Sequence, residues 1–163
     1  MSLTVERTSP TTLTVTRRFR ASPARVFAAH TDQALVARWL GGEGYGGYAM
    51  PVCEFDARPG GSFRYEFANA GTGHSFAITG DFDVVEAPSP GGIGRTVHRE
   101  TMHMPERTPI NLVETLFAPD GDGTLLTMTM TLPDAASVDA MVATGMTDGM
   151  EYSYGRLDSA LAA

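Results

Sequence analysis

Residues 74–84 read His74-Ser75-Phe76-Ala77-Ile78-Thr79-Gly80-Asp81-Phe82-Asp83-Val84. Every second position, from His74 through Phe76, Ile78, Gly80 and Phe82 to Val84, shares one side, and the small or polar residues share the other. A period of two with one apolar and one wet face reads as a strand of an antiparallel sheet. Its apolar face must be covered by a second layer.

The same signal extends in both directions. Upstream, Phe63, Tyr65 and Phe67 line one face of a strand bounded by the turns Pro59-Gly60-Gly61 and Asn69-Ala70-Gly71-Thr72-Gly73, and Val52 to Ala57 form the strand before it. Downstream, strands are expected around Arg95 to Met104, Ile110 to Phe117 and Leu125 to Leu132, with Asp120-Gly121-Asp122-Gly123 as a hairpin turn. Leu126, Met128, Met130 and Leu132 share a face. Near the start, Leu13, Val15, Arg17 and Phe19 alternate with Thr14, Thr16, Arg18 and Arg20 as a first strand.

Two short helices follow that first strand. Ser22-Pro23 supplies a cap and a first-turn proline for Val26, Phe27 and His30, and Thr31-Asp32 breaks the run and caps a second helix carrying Leu35, Val36, Trp39 and Leu40. The glycine-rich stretch Gly41 to Gly47 reads as a loop. After the sheet, Asp134 or Ser137 caps a long helix on which Val138, Val142, Met146, Met150, Leu157 and Leu161 follow one side. Gly145, Gly149 and Gly155 interrupt it, each at roughly 1 kcal/mol relative to alanine. Gly145 and Gly149, four apart, stack on one helix face, where they either let a strand approach closely or leave volume for a ligand.

The expectation is therefore an α+β fold: six or seven antiparallel strands curved around a long C-terminal helix, with two short helices after the first strand. Residues 11–163 form one domain, and residues 1–10 read as a loose leader.

Composition limits the partners. Twelve Lys and Arg against nineteen Asp and Glu give a net charge of -7, which repels nucleic acid and anionic lipid surfaces. Cys53 is the single cysteine, so no intramolecular disulfide forms. No apolar run approaches the length of a membrane span, and a soluble, cytoplasmic protein is expected.

Motif matches fail on context. Gly42-Glu43-Gly44-Tyr45-Gly46-Gly47 fits a dinucleotide fingerprint, but it lies between a helix and a strand rather than between a strand and a helix. Gly73-His74-Ser75-Phe76-Ala77 lacks the helix of a nucleophile elbow. His30, His74, His98 and His103 have no zinc-ligand spacing. No cofactor, metal or catalytic residue is assigned.

What remains is a candidate cavity between sheet and helix. Its lining is expected from Phe27, Trp39, Phe63, Tyr65, Phe67, Phe76, Met102, Met128, Met130, Met146, Met150 and Tyr154, with Trp39 and the glycine-rich loop at the mouth. Thioether side chains suit either an adaptable cavity or a closed core, and both readings stand. His74 or His98 fixes a polar end, or is satisfied by a neighbour; Glu100 and Glu114 are the acids available as a general base.

Particular strings carry a family resemblance. The run from Leu13 to Asp32 with Ala37-Arg38-Trp39-Leu40, the turn Arg58-Pro59-Gly60-Gly61-Ser62-Phe63-Arg64-Tyr65, the segment Gly123-Thr124-Leu125-Leu126-Thr127-Met128 and the final helix from Gly145 to Leu157 resemble the START-like (SRPBCC) superfamily. Within it they resemble the branch named for the C-terminal domain of the activator of heat-shock-protein-90 ATPase. The resemblance spans residues 11–161 and implies a helix-grip, Bet v 1-like fold with a cavity between sheet and helix. It implies a binding module for an apolar or amphipathic, lipid- or polyketide-like molecule. Two alternatives are a cyclase or hydrolase of such ligands and a stress protein with a chaperone partner. Homodimerisation is compatible with either class. The fold by itself selects none of these.

Overall fold

The computed structural model of the protein describes residues 2–41 and 45–162, with Tyr45 described by its backbone alone. Eight strands form one antiparallel sheet: β1 (Thr4–Ser9), β2 (Thr12–Phe19), β3 (Tyr48–Phe55), β4 (Ser62–Asn69), β5 (Ser75–Glu86), β6 (Gly94–His103), β7 (Asn111–Asp120) and β8 (Gly123–Thr131). Their order across the sheet is β1-β2-β8-β7-β6-β5-β4-β3. The helices are α1 (Pro23–Thr31), α2 (Gln33–Leu40), α3 (Ala135–Ala143) and α4 (Met146–Ala162).

This order explains the helix pair after β2. The chain must pass from β2 to β3 at the opposite edge, and it does so through α1, which lies by β6, β7 and β8, and α2, which reaches β3 and α4. The caps are those the sequence requires. Ser22 and Asp32 accept hydrogen bonds from the amides of Arg25 and Leu35, and Asp134 accepts from that of Ser137 at 2.7 Å. Each satisfies an otherwise unpaired first-turn N–H. Register shifts at Arg7/Ser9, Ala49/Val52 and Phe82/Val84 mark bulges, which bend a sheet and steepen its twist.

Two clusters make the core. One joins Phe19, Val26, Phe27, Trp39, Phe117, Leu126, Tyr154 and Leu157. The other joins Leu13, Val15, Val113, Met130, Leu132 and Val138, with Met128, Met141, Met146 and Met150 packed against it. Both gather on the β2-β8-β7 half of the sheet.

Three expectations are corrected. The strand count is eight. Residues 4–9, expected as a leader, pair with β2, and the N-terminal segment is tied further by Leu3 N–H donating to Glu151 Oε2 at 2.8 Å and Arg7 to Asp139 at 2.5 Å. The long final helix is two helices, broken at Gly145 with φ +78°. A backbone there favours glycine and terminates a helix, so Gly145 does not stack beside Gly149 on a helix face. Of the glycine-rich loop, Tyr45–Gly47 form a 3-10 turn and residues 42–44 lie outside the described residues.

Candidate functional site

The ladder decides which side chains face the helices. Leu13, Val15, Arg17 and Phe19 lie on that side of β2, and successive cross-strand partners carry the face to Val113, Thr115 and Phe117 on β7 and to Thr96, His98, Glu100 and Met102 on β6. It continues through Phe82, Gly80, Ile78 and Phe76 on β5 to Phe63, Tyr65 and Phe67 on β4, and to Phe55 and Cys53 on β3.

On the β3–β6 half, this inner face is a continuous aromatic strip. Phe63 and Phe82 approach the His98 ring at 5.4 and 5.8 Å. Phe55 contacts Phe63, Tyr65 and Phe82, Tyr65 leads to Phe67, and Phe67 stacks on Phe76 at 4.9 Å. Tyr48 and His74 end the strip at the rim, sharing a hydrogen bond of 2.7 Å. Ring edges and faces at these separations attract through their quadrupoles. Gly80 makes the packing feasible, because a Cβ there would collide with the Phe63 ring.

The strip belongs to neither core cluster. Phe63 and Phe82 are buried, and Phe55, Tyr65, Phe67, Phe76, Ile78 and Met102 are half-buried. Large apolar side chains gathered on one inward face without full cover are what a ligand site looks like.

At the inner end stands a polar node. His98 Nε2 lies 2.7 Å from Glu100 Oε1, and toward an ionised carboxylate, which only accepts, the ring nitrogen is the donor. Glu100 faces Asn111 across the β6–β7 ladder. Asn111 is buried, and its Oδ1 has no hydrogen-bond partner. Burial pushes the Tyr65 phenol well above its ordinary range, with further contributions from Cys53 and Glu100. Burial likewise raises the Tyr154 phenol; Arg17 opposes the shift and Glu100 adds to it. The Glu100 carboxylate is thus within electrostatic range of both the sheet and α4. Burial also raises the Cys53 thiol, so this cysteine stays protonated and weakly nucleophilic.

The remaining expected residues divide. Phe27, Trp39, Met130 and Tyr154 are buried in the core clusters, and Met128, Met146 and Met150 pack against them. Trp39, expected at the mouth, donates its indole N–H to Ala29 O at 2.8 Å and stacks on Tyr154. His74 is exposed at the rim. Glu114 lies on the outer face and pairs with Arg95, away from His98 and Glu100. Phe55, Tyr48 and Asn111 were not among the expected residues. Two shallow surface clefts, bounded by Arg38, Arg156, Ser159 and Ala160 and by Arg20, Asp158, Leu161 and Ala162, share no residue with the strip. No cluster of three metal-ligating side chains occurs among the described residues.

A family model described as Activator of Hsp90 ATPase homolog 1-like protein matches residues 20–162. The chain belongs to this family. The Activator of Hsp90 ATPase homolog 1-like family supports a START-like ligand-binding fold in general terms, and the eight-stranded sheet with its helices is that fold. Solved structures agree with this. A protein of Rhodobacter sphaeroides is 30% identical, with a TM-score of 0.84 and 99% of each chain covered. Protein CV1439 of Chromobacterium violaceum is 25% identical, with a TM-score of 0.69, covering 93% of this chain and 98% of its own. Protein Ms6760 of Mycobacterium smegmatis shares the fold at 20% identity, with a TM-score of 0.78 and 97% and 95% covered. A comparison with curated proteins gave no match. No helix among the described residues is long and apolar enough to cross a membrane.

Proposed function

We propose that the protein binds an apolar or amphipathic small molecule, lipid- or polyketide-like, against the aromatic strip between the sheet and the C-terminal helices. One observation carries the reading. The β2-β8-β7 half of the inner face is closed by packed core, while the aromatic half of the same face belongs to neither core cluster, is only half-buried along most of its length and ends in a polar pair. The apolar wall supplies affinity by removing ligand surface from water, and a small number of polar groups set its orientation. Native mass spectrometry of protein purified from its own source tests this. A reproducible adduct that is lost on denaturation is expected; a bare chain mass, with no thermal shift from lipid extracts, contradicts it.

A second reading has its own observation. His98 and Glu100 are titratable groups that meet on the inner face, the arrangement of a histidine base oriented by a carboxylate. In a cyclase or hydrolase of such ligands, His98 would take the proton and Glu100 would hold the ring. Turnover of a bound polyketide-like substrate that disappears in His98→Gln, with binding retained, supports this reading over simple binding.

A further inference from the structure

The polar node carries more information than the presence of a site. We infer that it selects ligands whose polar end is a hydrogen-bond donor, a hydroxyl or amine N–H on a neutral aromatic ring, rather than an anionic head group. The inference rests on the binding reading above and states which chemistry the site accepts.

Three observations lead to it. First, with the His98 Nε2–H given to Glu100 Oε1, what the pair leaves toward a ligand is acceptor capacity: the second Glu100 oxygen and, on a neutral ring, His98 Nδ1. Second, Asn111 Oδ1, beside Glu100 in the ladder, is a buried acceptor with no partner. A buried polar atom left unpaired is unfavourable, and a donor brought by a ligand, directly or through a water it orders, removes that penalty. Third, the inner face offers no free guanidinium to an anion, and the His98 ring is already given to Glu100. Among its described residues the arginine is Arg17, and its guanidinium is committed to both oxygens of Asp158. The basic residues nearest the node in sequence, Arg95 and Arg99, pair on the outer face with Glu114 and Asp83. A carboxylate or phosphate entering here meets the Glu100 carboxylate with no arginine available to neutralise it, in surroundings where charge repulsion is stronger than in water.

The flat, ring-lined wall sets the other half of the specificity. Phe63, Tyr65, Phe67 and Phe76 present faces and edges suited to a planar ring system, and the donor is then delivered to Glu100 and Asn111 at the strip's inner end.

Isothermal titration calorimetry at pH 7 with 2-naphthol, 2-methoxynaphthalene and 2-naphthoate tests this, since the three share a ring system and differ in the polar end. The expected result is 2-naphthol binding about tenfold or more tighter than either of the others, the preference one hydrogen bond to a charged group supports. Glu100→Gln, close in shape, is expected to bring 2-naphthol and 2-naphthoate to within roughly threefold of each other. Asn111→Leu, which removes the amide at similar volume, is expected to weaken 2-naphthol while leaving 2-methoxynaphthalene unchanged. Equal affinities for all three in the native protein, or tightest binding of 2-naphthoate, overturn the donor preference and leave the binding reading intact. Absence of binding by all three, together with no binding of the larger neutral probe N-phenyl-1-naphthylamine, overturns both.

Discussion

Arg17 on β2 donates from its two terminal nitrogens to the two carboxylate oxygens of Asp158 on α4, at 2.9 and 2.7 Å. The Arg17 side chain is 1% exposed, and its guanidinium lies 4.8 Å from the Phe19 ring centroid. A charge on the apolar side of the first strand is thereby made into an ionic tie between sheet and final helix.

Removing one partner of such a pair is worse than removing both, because the buried charge is left without its counter-charge. Asp158→Ala is expected to destabilise the protein by about 2 kcal/mol, the partial exposure of the carboxylate holding the figure below that of a fully buried pair. The double variant Arg17→Met/Asp158→Ala is expected to recover most of that loss. Urea denaturation of both measures it, and a double variant as unstable as the single one contradicts the assignment.

His30 on α1 is expected to make the protein's stability fall in acid. Its Nδ1–H donates to Val26 O at 2.7 Å, and its ring lies among Trp39, Phe117 and Tyr154 with Nε2 wholly buried and unpaired, although other atoms of the residue reach the surface. Desolvation lowers its pKa from 6.5 to about 4, against a smaller opposing effect of the bond to Val26. Above pH 6.5 the ring is neutral in both folded and unfolded chains. As pH falls, the unfolded chain takes up the proton first, so stability drops from about pH 6.5 and levels off near pH 4. Between pH 7 and pH 4.5 this one group should remove about 2.5 kcal/mol. His30→Phe should flatten that part of the pH profile in urea melts, and an unchanged slope would show that other groups set it.

The glycines of the C-terminal segment are expected to respond in opposite ways. Gly145 has φ +78°, so Gly145→Ala strains the backbone by about 1–2 kcal/mol although nothing stands within 4 Å of the added carbon. Gly155 is an exposed residue within α4 with equally open space, and Gly155→Ala should stabilise by about 0.5–1 kcal/mol. Neither should alter ligand affinity. Thermal melts with and without a bound probe separate the two effects.

Phe67 is half-buried and belongs to the aromatic strip rather than to either core cluster, so binding and stability should part there. Phe67→Ala is expected to lower affinity for N-phenyl-1-naphthylamine about tenfold through loss of its stacked wall, with under about 1 kcal/mol of destabilisation. Leu126→Ala, wholly buried, is expected to lose about 3 kcal/mol. Similar stability losses in the two variants would show that Phe67 is core.

The alternation was sufficient for residues 76–82, where Phe76, Ile78 and Gly80 face Phe67, Tyr65 and Phe63 across the β4–β5 ladder. The bulge after Phe82, however, turns Val84, expected on the same side, to the outer face and Val85 to the inner one. The cap residues and the β7–β8 hairpin were equally legible, because local chemistry determines them. Strand β1 was not, since an edge strand of exposed Thr, Glu and Arg carries no apolar alternation. Tyr48 and Phe55 escaped for another reason. The bulge between Ala49 and Val52 shifts the parity of β3 midway, so both residues reach the inner face although one is even-numbered and the other odd. His98 and Glu100 could be read as one face from their spacing, but their hydrogen bond and the unpaired Asn111 opposite could not, because cross-strand partners are set by the whole sheet. Glu114 shows the limit of reading neighbours in sequence: flanked by Val113 and Thr115, it points to the opposite face and pairs there with Arg95.

The aromatic strip is the place where a ligand is expected to sit. Methyl NMR of the methionines during titration with N-phenyl-1-naphthylamine addresses it directly, because Met102 lies on the strip's face and Met104, two residues on, is exposed beyond the end of β6. A saturable shift of the Met102 methyl, absent in Phe67→Arg, with Met104 unmoved, is expected. Saturable shifts confined to Met104, or binding undiminished in Phe67→Arg, would contradict it.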